Sequence, residues 1–272
     1  MLLIKKEDTY IFQFEALTGF SGLVHAVGCR CGGSSQAPFD GMNLSLGVGD
    51  DPQAVAANRQ CLYRLTGGGV HIYTRQNHGS TIRVISRSPK RHTKTIQTPR
   101  EPADALITDV PGVRLLIQTA DCQAVMVFDP RKRVVANIHC GWRGSTIDII
   151  GHTVSRMVAQ FGCDPGRMTA AIGPSLGPCC AEFINYKTEL PQSLWPFRVG
   201  PHHFDFWEIS RHQLVAAGLT KAHVHHAAIC TRCNPHLFFS YRAAHNTGRF
   251  AALIGIEADN AEDNASALES TP

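Results

Sequence analysis

Apolar positions in this chain come in short blocks separated by turn chemistry, and the blocks change period along its length. Asp50-Asp51-Pro52 sets acidic capping residues before a proline at the first helical turn, which predicts a helix over Gln53 to Leu65. Gly67-Gly68-Gly69 ends it, and Val70 to Thr74 follows as a short strand. From Ala105 the pattern becomes strand-rich, with apolar runs at Val113 to Gln118, Ala124 to Phe128 and Val134 to His139. Asp129-Pro130-Arg131-Lys132 between the last two runs predicts a hairpin. Ser145 to Phe161 reads as one amphipathic helix, with Ile149, Val154, Met157, Val158 and Phe161 on its apolar side. Met168 to Ile172 is a further strand, Phe206 to Ala217 is helical, Ala227 to Cys230 is extended, and Phe250 to Ile256 is a closing strand.

Between these elements, Gly28 to Gly49 is rich in Gly, Ser and Pro and is expected to be a long, ordered surface loop. Arg87 to Lys94, which contains Pro89, is expected to be a basic loop. Residues after Glu257 are polar and predict a frayed tail. The expected organisation is one catalytic domain over 1–257 and a disordered tail over 258–272. The mixture of strands, helices and an antiparallel hairpin predicts a mixed α/β or α+β domain. No GxGxxG or Walker pattern follows a strand, so neither dinucleotide nor P-loop chemistry is suggested.

Composition narrows the class. At 272 residues, 43% hydrophobic and 18% charged, the chain is long and apolar enough to bury a large core. Its net charge of +4 is spread thinly, which gives no patch for nucleic acid but suits a small anionic co-substrate such as phosphate. Met1 to Tyr10 has no signal-like apolar run, and no stretch reaches the roughly 18 apolar residues of a membrane span. A cytoplasmic protein is expected. Its ten cysteines are therefore expected as thiols, with one or a few liganding metal. Cys29-Arg30-Cys31 and Cys230-Thr231-Arg232-Cys233 have knuckle-like spacing. Each is expected as a pair of unpaired thiols near a turn, because zinc knuckles come with a second matched pair.

Four segments at strand ends concentrate residues that do chemistry. They are Gln76-Asn77-His78-Gly79, Thr119-Ala120-Asp121-Cys122, His139-Cys140-Gly141-Trp142-Arg143-Gly144, and Phe239-Ser240-Tyr241-Arg242 with Thr247-Gly248-Arg249. One cysteine and two histidines from separate segments can build a zinc site with an open fourth position. Spacing does not join them: His78 alone reads as an ordinary histidine and Cys122 as a small buried hydrophobe. The glycines around Arg143 at a helix start can face an anion or simply let Trp142 pack. Gly173 to Pro178 is a stiff loop that can floor a pocket or be a plain turn.

In this order, the segments resemble the laccase-domain proteins, also called polyphenol oxidase-like proteins and regarded as purine nucleoside phosphorylases. The resemblance spans Val24 to Ile256. It is also carried by Asn43-Leu44-Ser45-Leu46-Gly47, Asn58-Arg59, Ala103-Asp104-Ala105, Ile172 to Cys180 and Cys230-Thr231. It implies a layered α/β sandwich, distantly similar to toxins that use a Cys–His pair as a deamidase. It implies one zinc, with copper as an alternative, on His78, Cys122 and His139. The implied activity is cleavage of adenosine, inosine or methylthioadenosine with phosphate, with adenosine deamination beside it. Cys122, His139 and Asp121 are then the candidate catalytic residues, Asp121 orienting a ligand. Asn43, Arg59, Gln76, Arg143, Arg242 and Arg249 are candidate contacts to nucleoside or phosphate. No protein partner is implied.

The sequence departs from the family pattern at Cys29-Arg30-Cys31, at Ala243-Ala244 where a charge pair is usual, and at Ala181 where an aromatic is common, a change expected to widen the pocket. Two other chemistries compete. A Cys–His hydrolase would use Cys122 as nucleophile and His139 as base, with cell-wall peptide precursors as a substrate class tied to the family. Multicopper oxidation would need several paired histidines, and only His223-Val224-His225 has that spacing.

Overall fold

The computed structural model describes residues 1–6, 9–86, 96–97 and 101–258. The basic stretch 87–94 and the expected tail lie outside these residues, except for Ala258. The described strands are β1 (Leu2–Lys6), β2 (Thr9–Gln13), β3 (Leu23–Gly28), β4 (Val70–Ile72), β5 (Ile82–Ile85), β6 (Ile96–Gln97), β7 (Ala105–Thr108), β8 (Val113–Thr119), β9 (Gln123–Asp129), β10 (Val134–Cys140), β11 (Thr169–Ile172), β12 (Val224–His226) and β13 (Phe250–Ile256). The helices are α1 (Glu15–Thr18), α2 (Pro52–Leu65), α3 (Trp142–Thr146), α4 (Ile149–Phe161), α5 (Tyr186–Glu189) and α6 (Phe206–Ala216).

The strands form two mixed sheets, a seven-stranded one in the order β1-β2-β3-β13-β8-β4-β6 and a six-stranded one in the order β12-β11-β9-β10-β7-β5. The main core lies between them. It joins Val27, Leu115, Ile117, Ala252 and Ile254 of the first sheet to Leu106, Met126, Phe128 and Val135 of the second. On its outer face the first sheet packs Leu116 and Leu253 against Leu62 of α2. The second sheet packs Val125, Val127, Ala136 and Ile138 against α4 and Leu214 of α6. This helix–sheet–sheet–helix layering is the expected mixed α+β architecture. It explains why the central strands are unbroken apolar runs: both faces of each are covered. Asn137 of β10 pins the layers by donating from Nδ2 to the carbonyls of Leu115 and Ala252 in the other sheet, at 2.9 Å each.

Local chemistry sets several boundaries. The Asp51 carboxylate caps α2 by accepting the Gln53 and Ala54 N–H groups. The β9–β10 hairpin forms as predicted, with Asp129 accepting the N–H groups of Arg131 and Lys132. The helix expected over 145–161 is two helices. Asp148 takes a left-handed conformation (φ 49°), ends α3 and caps α4 through Gly151. Val158 of α4 is exposed rather than in the core. The 28–49 loop is ordered as expected but is not confined to the surface, since Met42, Asn43 and Leu44 are buried under α2. Strands β1 to β3 had no counterpart in the apolar pattern. The extended segment expected at 227–230 is instead strand 224–226 followed by a bridge from Cys230 to Ser175.

The N-terminal strands carry a titratable device. His25 on β3 is buried and its Nε2 accepts the Phe14 N–H at 2.9 Å, which requires the neutral ring. Burial pulls its pKa down from 6.5 to about 4. The unfolded chain therefore binds this proton first. The contribution is present above pH 6.5 and is lost as pH falls toward 4. It amounts to about 2 kcal/mol between pH 7 and pH 5. We expect His25→Gln, whose amide oxygen can still accept the Phe14 N–H, to remove that portion of the acid sensitivity. Urea unfolding of both proteins at pH 7 and pH 5 checks it.

Candidate active site

The three segments that carry His78, Cys122 and His139 meet because of how the two sheets are connected. Strand β8 belongs to the first sheet and β9 to the second, so Ala120-Asp121-Cys122 is a link between layers. Strand β10 pairs with β9 so that His139 stands opposite Ala124, two residues beyond Cys122. In β10, Val135 and Asn137 face the first sheet, and His139 has the same parity. His78 sits in the loop after β4.

Their donor atoms all lie within 4.8 Å of one another, with Cys122 Sγ 3.7 Å from His78 Nε2. The two imidazoles meet edge to face at 4.8 Å between ring centres. His139 is buried, Cys122 partly buried and His78 exposed, so the cluster opens on one side.

Asp104 organises the cluster. It is fully buried at the start of β7. Its Oδ1 accepts His139 Nδ1 at 2.8 Å and the His78 N–H at 2.9 Å, while Oδ2 accepts the N–H groups of Gly79 at 2.8 Å and Asn77 at 3.3 Å. It thus fixes the His139 ring, leaves Nε2 as its free nitrogen, and holds the His78 turn in the left-handed region at φ 59°. Burial opposes ionisation of Asp104, yet the hydrogen bonds of His139, Gly79 and Asn77 hold its carboxyl below the ordinary range. Sequence reasoning placed this residue in the Ala103-Asp104-Ala105 motif but gave it no role.

Asp104, and not Asp121, is the carboxylate bonded to a ring of the cluster. The Asp121 carboxylate accepts Thr231 Oγ1–H and the Arg242 N–H, each at 2.6 Å, and its carbonyl accepts the Leu176 N–H. These bonds stabilise a positive φ of 93° immediately before Cys122.

Cys122 and His139 push each other toward their charged forms, thiolate and imidazolium. Burial raises the Cys122 pKa, but the charge and hydrogen bond of His139 and the nearby His78 outweigh it, bringing the thiol to about 6. Burial likewise lowers that of His139, and Cys122 and Asp104 together reverse this, to about 9.

The cluster fits a metal ion. The donor set is one thiolate and two imidazoles, the outer nitrogen of His139 is held by a carboxylate, and the fourth side is open. Gly141 supplies the clearance, because a Cβ there would stand 2.7 Å from Cys122 Sγ and 3.3 Å from His78 Cδ2.

The cluster lines a cleft of about 1130 Å³. Arg59, Arg75, Arg143, Arg242 and Arg249 border it, and Leu46, Trp142, Leu176, Phe183, Phe206 and Tyr241 give apolar walls. Arg143 is exposed beside the Trp142 ring. Its helix, α3, has only five residues. Arg249 is anchored by donating to the Thr247 and Gly248 carbonyls, and Arg242 by donating to the Glu182 carbonyl. Arg59 is buried over the Tyr73 ring and donates to the Leu44 carbonyl. Gln76 lines the cleft with its amide paired to the Gln118 backbone at 2.7 and 2.9 Å.

Two expected pocket residues lie elsewhere. Asn43 is buried with its amide engaged by Ser45, Asp50 and the Arg249 N–H, so it positions Arg249 rather than facing the cleft. Ala181 is fully buried among Tyr186, Leu190 and Phe204, and it does not widen the cleft. The His223/His225 pair of the copper reading lies outside the cleft lining. No described helix is long and apolar enough to cross a membrane.

Comparison with known proteins agrees with this fold. The structure superposes on the crystal structure of YlmD from Geobacillus stearothermophilus with a TM-score of 0.82 and 30% identity, covering 93% of this chain and 98% of that one. A hypothetical protein YfiH from Bacillus licheniformis shares the fold at a TM-score of 0.82 and 24% identity, over 94% and 99% of the two chains. In sequence, the purine nucleoside phosphorylase YlmD of Geobacillus stearothermophilus is 33% identical over 265 residues, 90% of this chain and 97% of its own. A purine nucleoside phosphorylase of Bacteroides thetaiotaomicron is 32% identical over 262 residues, 89% of this chain and 94% of its own. The family model described as multi-copper polyphenol oxidoreductase laccase matches residues 24–257, and with these relatives it shows that the chain belongs to that family.

Proposed function

We propose that this chain is a purine nucleoside phosphorylase that cleaves adenosine, inosine or methylthioadenosine with phosphate. The observation that carries this reading is the cleft itself, in which a Cys/His cluster shares one cavity with several arginines and aromatic walls. The aromatic and aliphatic side chains suit the two faces of a purine. The guanidinium forks of Arg143, Arg242 and Arg249 suit phosphate. In the reaction a phosphate oxygen bonds to the sugar carbon as the bond from that carbon to the purine nitrogen breaks. The electron pair leaves with the base, which takes up a proton, and the products are free base and pentose 1-phosphate. Because the bond breaks with oxocarbenium character, holding phosphate against the sugar carbon is the main task of the protein.

His78, Cys122 and His139 would hold one zinc ion, which would supply a Lewis acid at the cleft floor. Asp104 keeps the His139 ring oriented toward the cluster, and Asp121 shapes the turn that presents Cys122. Adenosine deamination is a neighbouring activity of the same site, testable by ammonia release.

A second reading has its own support. Cys122, His139 and Asp104 are arranged as nucleophile, base and orienting acid, with the thiol already lowered to about 6. A hydrolase using them would work without metal, would be inactivated by thiol alkylation and would not use phosphate.

The phosphorylase reading is tested by phosphate saturation. We expect base release to rise hyperbolically with phosphate in the unaltered protein. Arg143→Lys keeps the charge but loses the fork. It should raise the KM for phosphate about tenfold, roughly 1.4 kcal/mol, with a smaller effect on the KM for nucleoside. Unchanged phosphate saturation would remove Arg143 from the phosphate site and leave Arg242 and Arg249.

A further inference from the structure

A second cluster of metal-ligating side chains lies outside the catalytic trio. Cys230 and Cys233 do not stand alone as unpaired thiols near a turn. The fold brings them to Cys179 and Cys180, about fifty residues earlier, and the four sulfurs all lie within 4.8 Å of one another. Cys233 Sγ is 3.6 Å from both Cys179 Sγ and Cys180 Sγ. None of the four is in a disulfide. The matched pair that a knuckle needs is the adjacent Cys179-Cys180.

The spacing selects a ligand. Four thiolates at about 2.3 Å from one ion stand about 3.8 Å apart along the edges of a tetrahedron. Two of the observed separations are 3.6 Å and none exceeds 4.8 Å, close to that edge. A polynuclear iron–sulfur cluster needs its thiolates set wider, around a body of several metal and sulfide atoms.

The backbone is also prepared. Cys230 and Cys233 form a Cys-x-x-Cys turn in which the Cys230 carbonyl accepts Asn234 Nδ2–H. Gly177 is needed for the approach, since a Cβ there would lie 3.1 Å from Cys230 Cβ and closer still to Trp207. Cys180 and Cys230 are buried, whereas Cys179 and Cys233 are exposed, so the site is reachable from solvent.

We propose that Cys179, Cys180, Cys230 and Cys233 form a second, structural metal site for a single soft divalent cation of the zinc class. Its place explains what it does. The 173–180 loop and the 230–233 turn are otherwise joined by the bridge between Ser175 and Cys230. Both loops contact Asp121, through the Leu176 N–H and the Thr231 hydroxyl. A metal tying these loops together braces the positive-φ residue that presents Cys122, from outside the cleft.

The test is metal binding by full-length Cys122→Ser, which lacks a donor of the first site and isolates the second. The protein is purified under reducing conditions, without chelator or histidine tag, and titrated with cobalt(II) alone. We expect one cobalt per chain, with the sulfur-to-cobalt charge-transfer and visible ligand-field bands of a tetrahedral tetrathiolate. Adding Cys233→Ser should weaken that binding at least tenfold. Absence of bound cobalt in folded Cys122→Ser overturns the proposal, as does binding that Cys233→Ser leaves unchanged. A Cys179–Cys233 or Cys180–Cys233 disulfide found by peptide mapping in the reduced preparation would also overturn it. Should Cys122→Ser not fold by circular dichroism, the unaltered protein decides: two cobalt ions per chain, one of them tetrathiolate, support the site, and a count without a tetrathiolate spectrum overturns it.

Discussion

Cys122→Ala is expected to lose at least two powers of ten in the rate of phosphate-dependent nucleoside cleavage, about 2.7 kcal/mol of transition-state stabilisation, while remaining folded. The thiol sits at the floor of the cleft, partly exposed and 3.7 Å from His78 Nε2. Truncating it removes one of three donors without opening a large cavity in the core. His139→Ala should fall at least as far, since it removes both a donor and the partner that holds the Cys122 thiolate. Steady-state kcat/KM with each nucleoside, together with the circular dichroism spectrum, checks both. Activity within tenfold of the unaltered protein would detach the trio from the chemistry.

Asp104→Ala should have the largest effect on stability of any single change around the site. It would strand the His78 and Gly79 N–H groups and His139 Nδ1, all now within 2.9 Å of one fully buried carboxylate. Removing one partner of a buried, hydrogen-bonded charge costs about 3–5 kcal/mol. Zinc retention by His78, Cys122 and His139 should be lost with it, because the turn holding His78 and the ring of His139 are both set by this carboxylate. Asp104→Asn is no rescue, since its amide NH₂ would face donors on whichever oxygen it replaced. The pH dependence has a definite sign. The Asp104 pKa is depressed in the folded protein, so its contribution is present above the ordinary carboxylate range. It is lost as pH falls through the folded value. Denaturant unfolding and metal content after gel filtration measure the two effects. Full stability together with full zinc retention in Asp104→Ala would contradict the assignment.

How far the sequence disclosed this arrangement depended on how local each signal was. The helix at 52–65 was legible because Asp51 and Pro52 mark its start independently of the fold. The runs of β8, β9, β10 and β13 were legible because strands covered on both faces are apolar throughout. Strands β1 to β3 escaped because they are short and polar residues interrupt them. One of these, His25, is a buried imidazole whose neutral form is held by a backbone N–H. The break at Asp148 was invisible because apolar positions keep helical spacing across it. The motif segments named His78, Cys122 and His139, but only the crossing of chain from one sheet to the other brings them together. Asp104 and the four-cysteine cluster were out of reach for the same reason. Asp104 acts on residues 26 and 35 positions away. Cys179 and Cys180 meet their partners only through the packing of two loops.

The measurement that bears most directly on the phosphorylase reading is phosphorus NMR of the zinc-loaded protein with adenosine, inosine or methylthioadenosine and inorganic phosphate. The account predicts that the phosphate signal declines as a sugar 1-phosphate signal grows. One phosphate should be consumed per base released, and no base should be released when phosphate is left out. Failure to cleave any of the three nucleosides, or base release at the same rate without phosphate, would contradict it.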